Sequence, residues 1–305
     1  MLLILIVCPC AIALVGKDRK ALRDDLVKRY KSWLLLAPLM GLPVLCGAFW
    51  TFLAVGLLSV LSHREFARAT GLFRDRLTSA LVVLCIFMIT FTTLDNWLGF
   101  FLAIPPLGTV LIAAVNVFPD KPKGYLQRVG LGVLSLALFG SGIGHLGMIA
   151  NDSNYRAIIL WLIFSVQMND VFAYVAGKSF GKKRILPETS PGKTLGGALG
   201  ALILTTIMAA CLALVVFRGT ALERIPHAIA LGLMISVLGQ LGDLVVSSVK
   251  RDVGIKDMGN LFPGHGGLLD RFDSLILVAP AVFHYVNYFV GIGLTQPTRI
   301  LSHSW

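Results

Sequence analysis

Residues 247–274 concentrate the side chains in this sequence that are best able to do chemistry. Four bases (Lys250, Arg251, Lys256 and Arg271), four acids (Asp252, Asp257, Asp270 and Asp273) and His265 lie there, around a Pro263-Gly264-His265-Gly266-Gly267 turn. It is the longest polar interval of the chain, with apolar runs on both sides. A loop needs only to be soluble; acids, bases and glycines mixed this closely suit a ligand that carries phosphates together with metal. Two further acids stand where they are least expected. Gln167, Asn169 and Asp170 interrupt the apolar run 158–176, and Gln240 and Asp243 interrupt the run 231–246. Charges inside membrane-length apolar runs are costly and are functional candidates by default.

Carboxylates facing a phosphate group cannot neutralise it and need a divalent cation between them. Magnesium, a hard ion held by one or two carboxylates plus substrate oxygens, fits best. The residues leave a second reading open, in which Lys250, Arg251 or Arg271 forms a buried ion pair that shields the acids without a metal. The loop 177–194 is the other chemical stretch. Gly192-Lys193-Thr194 ends like a P-loop, but Pro187 stands at the required first glycine and no strand precedes it, so a P-loop is rejected. Ser190, Lys193 and Thr194 before an apolar helix still offer backbone N–H groups and a charge to an anion. A merely solvated basic loop is the alternative.

The elements that must position these groups are helices in a bilayer. The chain has 305 residues, of which 56% are apolar and only 14% charged, with mean hydropathy +0.80. Such a chain cannot hide its apolar surface in a water-soluble core. Ten apolar segments are expected, near 2–16, 32–47, 49–66, 77–94, 97–117, 127–150, 155–176, 195–217, 225–246 and 272–294. A crossing needs about 20 residues, so the first two are short, and without 2–16 nine spans remain. The fold class is therefore all-α, a polytopic integral membrane protein with nine or ten transmembrane helices. The region 1–159 holds the N-terminal spans, including the extra segment 2–16 and the basic loop 17–31. Residues 160–305 form the catalytic region.

A formal net charge of +11 looks like that of a nucleic-acid binder, but its distribution says otherwise. If 17–31 faces the cytoplasm, 23 of the 27 Lys and Arg residues fall on that side, and only Arg156, Arg218, Arg224 and Arg299 on the other. This is the positive-inside pattern. It places Asp170, Asp243, Asp270 and Asp273 together at the cytoplasmic edge of the membrane, the inner or plasma membrane if the source is bacterial. The loop 17–31 reads equally as an amphipathic helix on anionic membrane lipid or as a solvated face. Cys8, Cys10, Cys46, Cys85 and Cys211 all lie in apolar segments with no zinc spacing. His145, alone among glycines, reads as a packing residue.

The stretch resembles the signature of the phosphatidate cytidylyltransferases, the CDP-diacylglycerol synthases. Its fixed positions are filled by Ser247, Lys250-Arg251, Lys256-Asp257, Pro263, His265-Gly266-Gly267, Asp270-Arg271 and Asp273. The lead-in Gly239-Gln240-Leu241-Gly242-Asp243-Leu244 and the Ser190-Pro191-Gly192-Lys193-Thr194 motif fit as well, and the likeness covers about residues 160–295. Leu195 and Gly196 depart from it, standing where the family has an aromatic residue followed by Glu or Gln.

The resemblance implies transfer of CMP from CTP to phosphatidate, with magnesium on Asp243 and Asp270 and potassium as a second cation. It implies that Ser247, Lys250 and Arg251 contact phosphate and that Ser190, Lys193 and Thr194 serve the nucleotide. The rest of the set, Asp170, Lys256, Asp257, His265, Gly266, Gly267, Arg271 and Asp273, is expected to line the substrates. His265 then shapes the loop rather than acting as a base, and a homodimer is what the family suggests. A CTP-dependent lipid or polyprenol kinase is the alternative enzyme. A cation-coupled transporter is disfavoured, because transporter sites lie near the bilayer midplane.

Overall fold

The computed structural model describes Leu34 and residues 37–259 and 266–293. Segment 2–16, loop 17–31 and His265 lie outside the described residues. Among these the regular structure is helical, and an isolated antiparallel bridge pairs Arg184 with Thr194. The helices are α1 (Ala37–Cys46), α2 (Ala48–Thr70), α3 (Arg76–Asp95), α4 (Leu98–Val115), α5 (Tyr125–Ile149), α6 (Tyr155–Phe180), α7 (Leu195–Val216), α8 (Ile225–Asp252), α9 (Leu269–Phe272) and α10 (Leu275–Phe289).

Six of them, α3 to α8, are long and apolar enough to cross a membrane. Their outward faces carry unburied apolar side chains, such as Phe87, Val110, Ile203 and Ile207, which water would not tolerate and lipid does. The chain is a multi-pass membrane protein. Its spans begin and end within a few residues of the hydropathy reading except at the two ends. There the physical reasons are local. The run 32–62 breaks at Gly47, which holds φ at 138°, so that α1 ends at Cys46 and α2 starts anew at Ala48. The helix α2 runs on to Thr70 because His63, Arg64, Glu65 and Arg68 extend it past its apolar part. The last expected span begins with the separate turn α9, and α10 has 15 residues.

The helices α6, α7 and α8 pack closely on one another, and α10 packs against α8. Asn169 on α6 bolts all three together. Its Oδ1 accepts Thr205 Oγ1 of α7 at 3.0 Å and Ser236 Oγ of α8 at 2.9 Å. The asparagine that interrupts the apolar run is thus satisfied inside the bundle, as a polar group in hydrocarbon must be. Further polar groups are buried on the same terms. His63 bonds Ser135 Oγ at 2.7 Å and Ser79 Oγ at 2.8 Å. His145 is buried between Phe101 and Phe283, with Nδ1 on Ser141 O at 2.7 Å and Nε2 3.2 Å from His284 Nε2.

Two close approaches set the site. At Gly242 a Cβ would stand 2.6 Å from Asp273 O, so α8 meets the start of α10 only through a glycine. At Gly196 a Cβ would stand 2.6 Å from Phe180 O. A Glu or Gln there would collide with the end of α6 as it is placed here.

Candidate active site

The ends of α6, α7, α8 and α9 enclose a cavity of about 310 Å³. Asp170, Asp243, Asp270, Asp273, Lys193, Thr194 and Arg271 all line it, with Gln240 and Tyr174. Four carboxylates separated by about a hundred positions in sequence therefore do share one cavity, as the apolar runs that they interrupt suggested. Asp170, Asp243 and Asp273 lie within electrostatic range of one another.

Each side chain arrives by a local device. The chain turns back between 181 and 195, with Ile185 N donating to Lys193 O at 3.1 Å and Leu195 N to Lys183 O at 2.8 Å. This hairpin delivers Lys193, whose Nζ lies 2.6 Å from Asp243 Oδ2 and donates to Gln240 O at 3.2 Å. Thr194 then caps α7, its Oγ1 accepting Gly197 N at 3.1 Å. On α8, one turn past Asp243, Ser247 donates to Asp243 Oδ1 at 3.3 Å.

Asp270 is held differently. Lys250 Nζ donates to its Oδ1 at 2.8 Å, and Oδ2 accepts Met258 N at 2.9 Å and Gly267 N at 2.8 Å. Oδ1 thus forms a buried ion pair of the kind that the sequence had left open, and Oδ2 is held by backbone donors. Gly266, at φ 78°, would place a Cβ 2.7 Å from the same Oδ2, so only glycine lets the loop close over this carboxylate. Arg271 faces the cavity, and its Nε is buried without a hydrogen-bond partner.

Other expected site residues stand farther out. Arg251 is exposed and braces two loops, through Thr189 O and Ile255 O, each at 3.2 Å. Lys256 and Asp257 are exposed and do not line the cavity. Ser190 supports the hairpin, its carbonyl accepting Lys193 N at 3.1 Å.

Two residues escaped the sequence reading. Glu65 of α2 accepts Leu268 N at 2.9 Å and Leu269 N at 2.8 Å, one on each carboxylate oxygen. It pins the start of α9 and so aims Asp270 and Arg271. Its carboxylate also fills the space beside Gly259 and Gly267 where side chains would otherwise go. The signal available was an acid at the end of an apolar segment. Tyr174 lies one turn beyond Asp170 on α6, is 67% exposed, lines the cavity and offers a flat face.

The donor set suits a hard divalent cation. Among the described residues no group of three His, Cys, Asp or Glu side chains is already arranged to hold a metal. Magnesium, however, takes only one or two protein carboxylates when substrate phosphates complete its shell. Asp243 and Asp273, on the wall of one cavity with Asp170, supply such oxygens.

Comparison with known proteins decides the lineage. A cytidylyltransferase family model matches residues 27–289. The chain belongs to the cytidylyltransferase family. An uncharacterized protein of Escherichia coli (strain K12), YnbB, is 34% identical over 251 residues, covering 80% of this chain and 82% of that one. The phosphatidate cytidylyltransferase of Bacillus subtilis (strain 168) is 40% identical over 137 residues, 44% of this chain and 47% of that one. That of Aquifex aeolicus (strain VF5) is 41% identical over 125 residues, 41% of this chain and 45% of its own length. The chain thus aligns with about half the length of these two named relatives. As a cytidylyltransferase it is a nucleotidyltransferase, and the cavity is where that chemistry is to be sought.

Proposed function

We propose that this protein transfers CMP from CTP to phosphatidate, forming CDP-diacylglycerol and pyrophosphate for phospholipid synthesis. The observation that carries the reading is the single cavity in which Lys193, Arg271 and four carboxylates meet. The names of the relatives support the choice of acceptor. In the reaction a phosphate oxygen of phosphatidate bonds to the α-phosphorus of CTP. The bond from that phosphorus to the bridging oxygen breaks, and its electron pair leaves with pyrophosphate. The attacking phosphate is already ionised, so no general base is required. Catalysis consists of positioning and charge neutralisation.

Lys193 and Arg271 have that task. Lys193 can exchange Asp243 for a phosphate oxygen, and the unpaired Nε of Arg271 awaits an acceptor. Asp243 and Asp273, with Asp170 beside them, would hold magnesium, which supplies charge neutralisation on the triphosphate when bound. Potassium as a second cation belongs to the same proposal. Asp270, tied to Lys250 and two backbone N–H groups, keeps the signature loop closed, and Ser247 steadies Asp243. Tyr174 offers its face to the cytosine ring, a contact available to any base. The cavity faces the cytoplasm on the charge distribution of the loops, which is where CTP is found.

Purified protein given CTP, phosphatidate and magnesium should yield a CDP-lipid and pyrophosphate in equal amounts. Release of CDP with a newly phosphorylated lipid would assign it to the lipid kinases instead.

A further inference from the structure

A second cavity lies on the other side of α9. It measures about 390 Å³ and is walled by α1, α2, α5 and α6, with Leu268 and Phe272 as its floor. Its lining is apolar but for Thr51, whose Oγ1 is spent on Gly47 O at 3.0 Å. Nothing polar can dwell there. Leu39 and Leu57 at its rim are 49% and 60% exposed, on the apolar outer face, whereas Val44 and Ile159 inside are buried. The cavity therefore opens sideways, toward lipid.

The short helix α9 separates two environments. Leu268 and Phe272, four residues apart, share one helical face and bound the apolar cavity; Asp270 and Arg271 bound the polar one. A molecule that straddles α9 must be apolar at one end and anionic at the other. Resting on the proposed acceptor, we infer that the apolar cavity holds one acyl chain of the lipid substrate while Arg271 receives its phosphate. Glu65 serves both sides. It fixes α9 by Leu268 and Leu269 N–H and so sets the distance between chain and headgroup.

Ala54 lines this cavity on α2 and touches none of the polar groups. Ala54→Phe fills it. For a dioleoyl phosphatidate kcat/KM should fall about tenfold, the scale of hydrophobic-pocket discrimination. For a dibutyryl phosphatidate, too short to need the cavity, it should change less than about twofold. Ile207→Phe, on the exposed face of α7, should leave both substrates unaffected. Equal losses on both substrates, or no loss on either, would overturn the inference. So would a change of oligomer mass that accompanies equal losses, since the cavity would then belong to a second copy.

A second measurement does not depend on the variant. Phosphatidate with a diazirine in one acyl chain should cross-link wild-type protein at Pro43, Val44, Ala54 or Leu58. Adducts confined to other surfaces would refute the acyl site even if CDP-lipid forms. Cavity adducts without CDP-lipid would leave the site standing and remove the proposed reaction.

Discussion

The ammonium of Lys193 and the carboxylate of Asp243, 50 residues apart in sequence, lie 2.6 Å apart across the candidate active site. The hairpin before α7 brings one and the last third of α8 the other. The pair compensates one of the four carboxylates that line the cavity, yet both partners are needed elsewhere once a triphosphate enters. A cation that can pass to phosphate and an anion that can pass to a metal are the least that such a site requires.

Asp243→Asn removes the charge and keeps the shape. Turnover should fall by about 10²–10³-fold, the scale of losing one preorganised electrostatic group. The purified variant should stay monodisperse with an unchanged helical spectrum. Wild-type rates would remove Asp243 from the mechanism.

Lys193→Ala should raise the KM for CTP about tenfold and lower kcat as well, because its charge is used in both ground and transition states. A KM effect confined to phosphatidate would mean that the lysine serves the lipid instead.

For Tyr174 the expected pattern is selective. Tyr174→Ala should weaken CTP binding by about 1–3 kcal/mol, the value of one stacked base, whereas Tyr174→Phe should bind nearly as tightly as wild type. If the two variants behave alike, the ring does not stack on the base.

Glu65→Ala strands two backbone N–H groups, at about 1–3 kcal/mol of lost stability for each buried unsatisfied group. The melting temperature and kcat should both drop. Glu65→Gln keeps an acceptor oxygen and should recover part of each. A variant that melts like wild type would deny Glu65 its positioning role.

Magnesium should raise the thermal stability of the substrate-free protein in detergent, and Asp243→Asn or Asp273→Asn should abolish that shift. Stabilisation that persists in both variants would place the ion elsewhere.

Much of this was legible in the chain because hydrocarbon is an unforgiving solvent. The apolar runs that became α3 to α8 had to be helices, and Asp170 and Asp243 within them had to find partners. Their convergence with Asp270 and Asp273 followed from the loop charges. What could not be read was how each acid is held. Asp270, expected on a metal from the resemblance, places its oxygens on Lys250, Met258 N and Gly267 N, and backbone donors leave no trace in residue types. Glu65 was hidden for the same reason: its partners are the N–H groups of Leu268 and Leu269, two hundred positions away. Lys250 and Arg251, adjacent in sequence, part on the helix surface, one buried on Asp270 and the other exposed on a loop.

The most direct test follows two labels in one reaction. Purified protein in lipid nanodiscs is given phosphatidate, magnesium and CTP labelled distinguishably at its α- and γ-phosphorus. The account predicts the α label in the lipid fraction and the γ label in pyrophosphate, in equal amounts. The γ label in lipid, with the α label left in CDP, would contradict it.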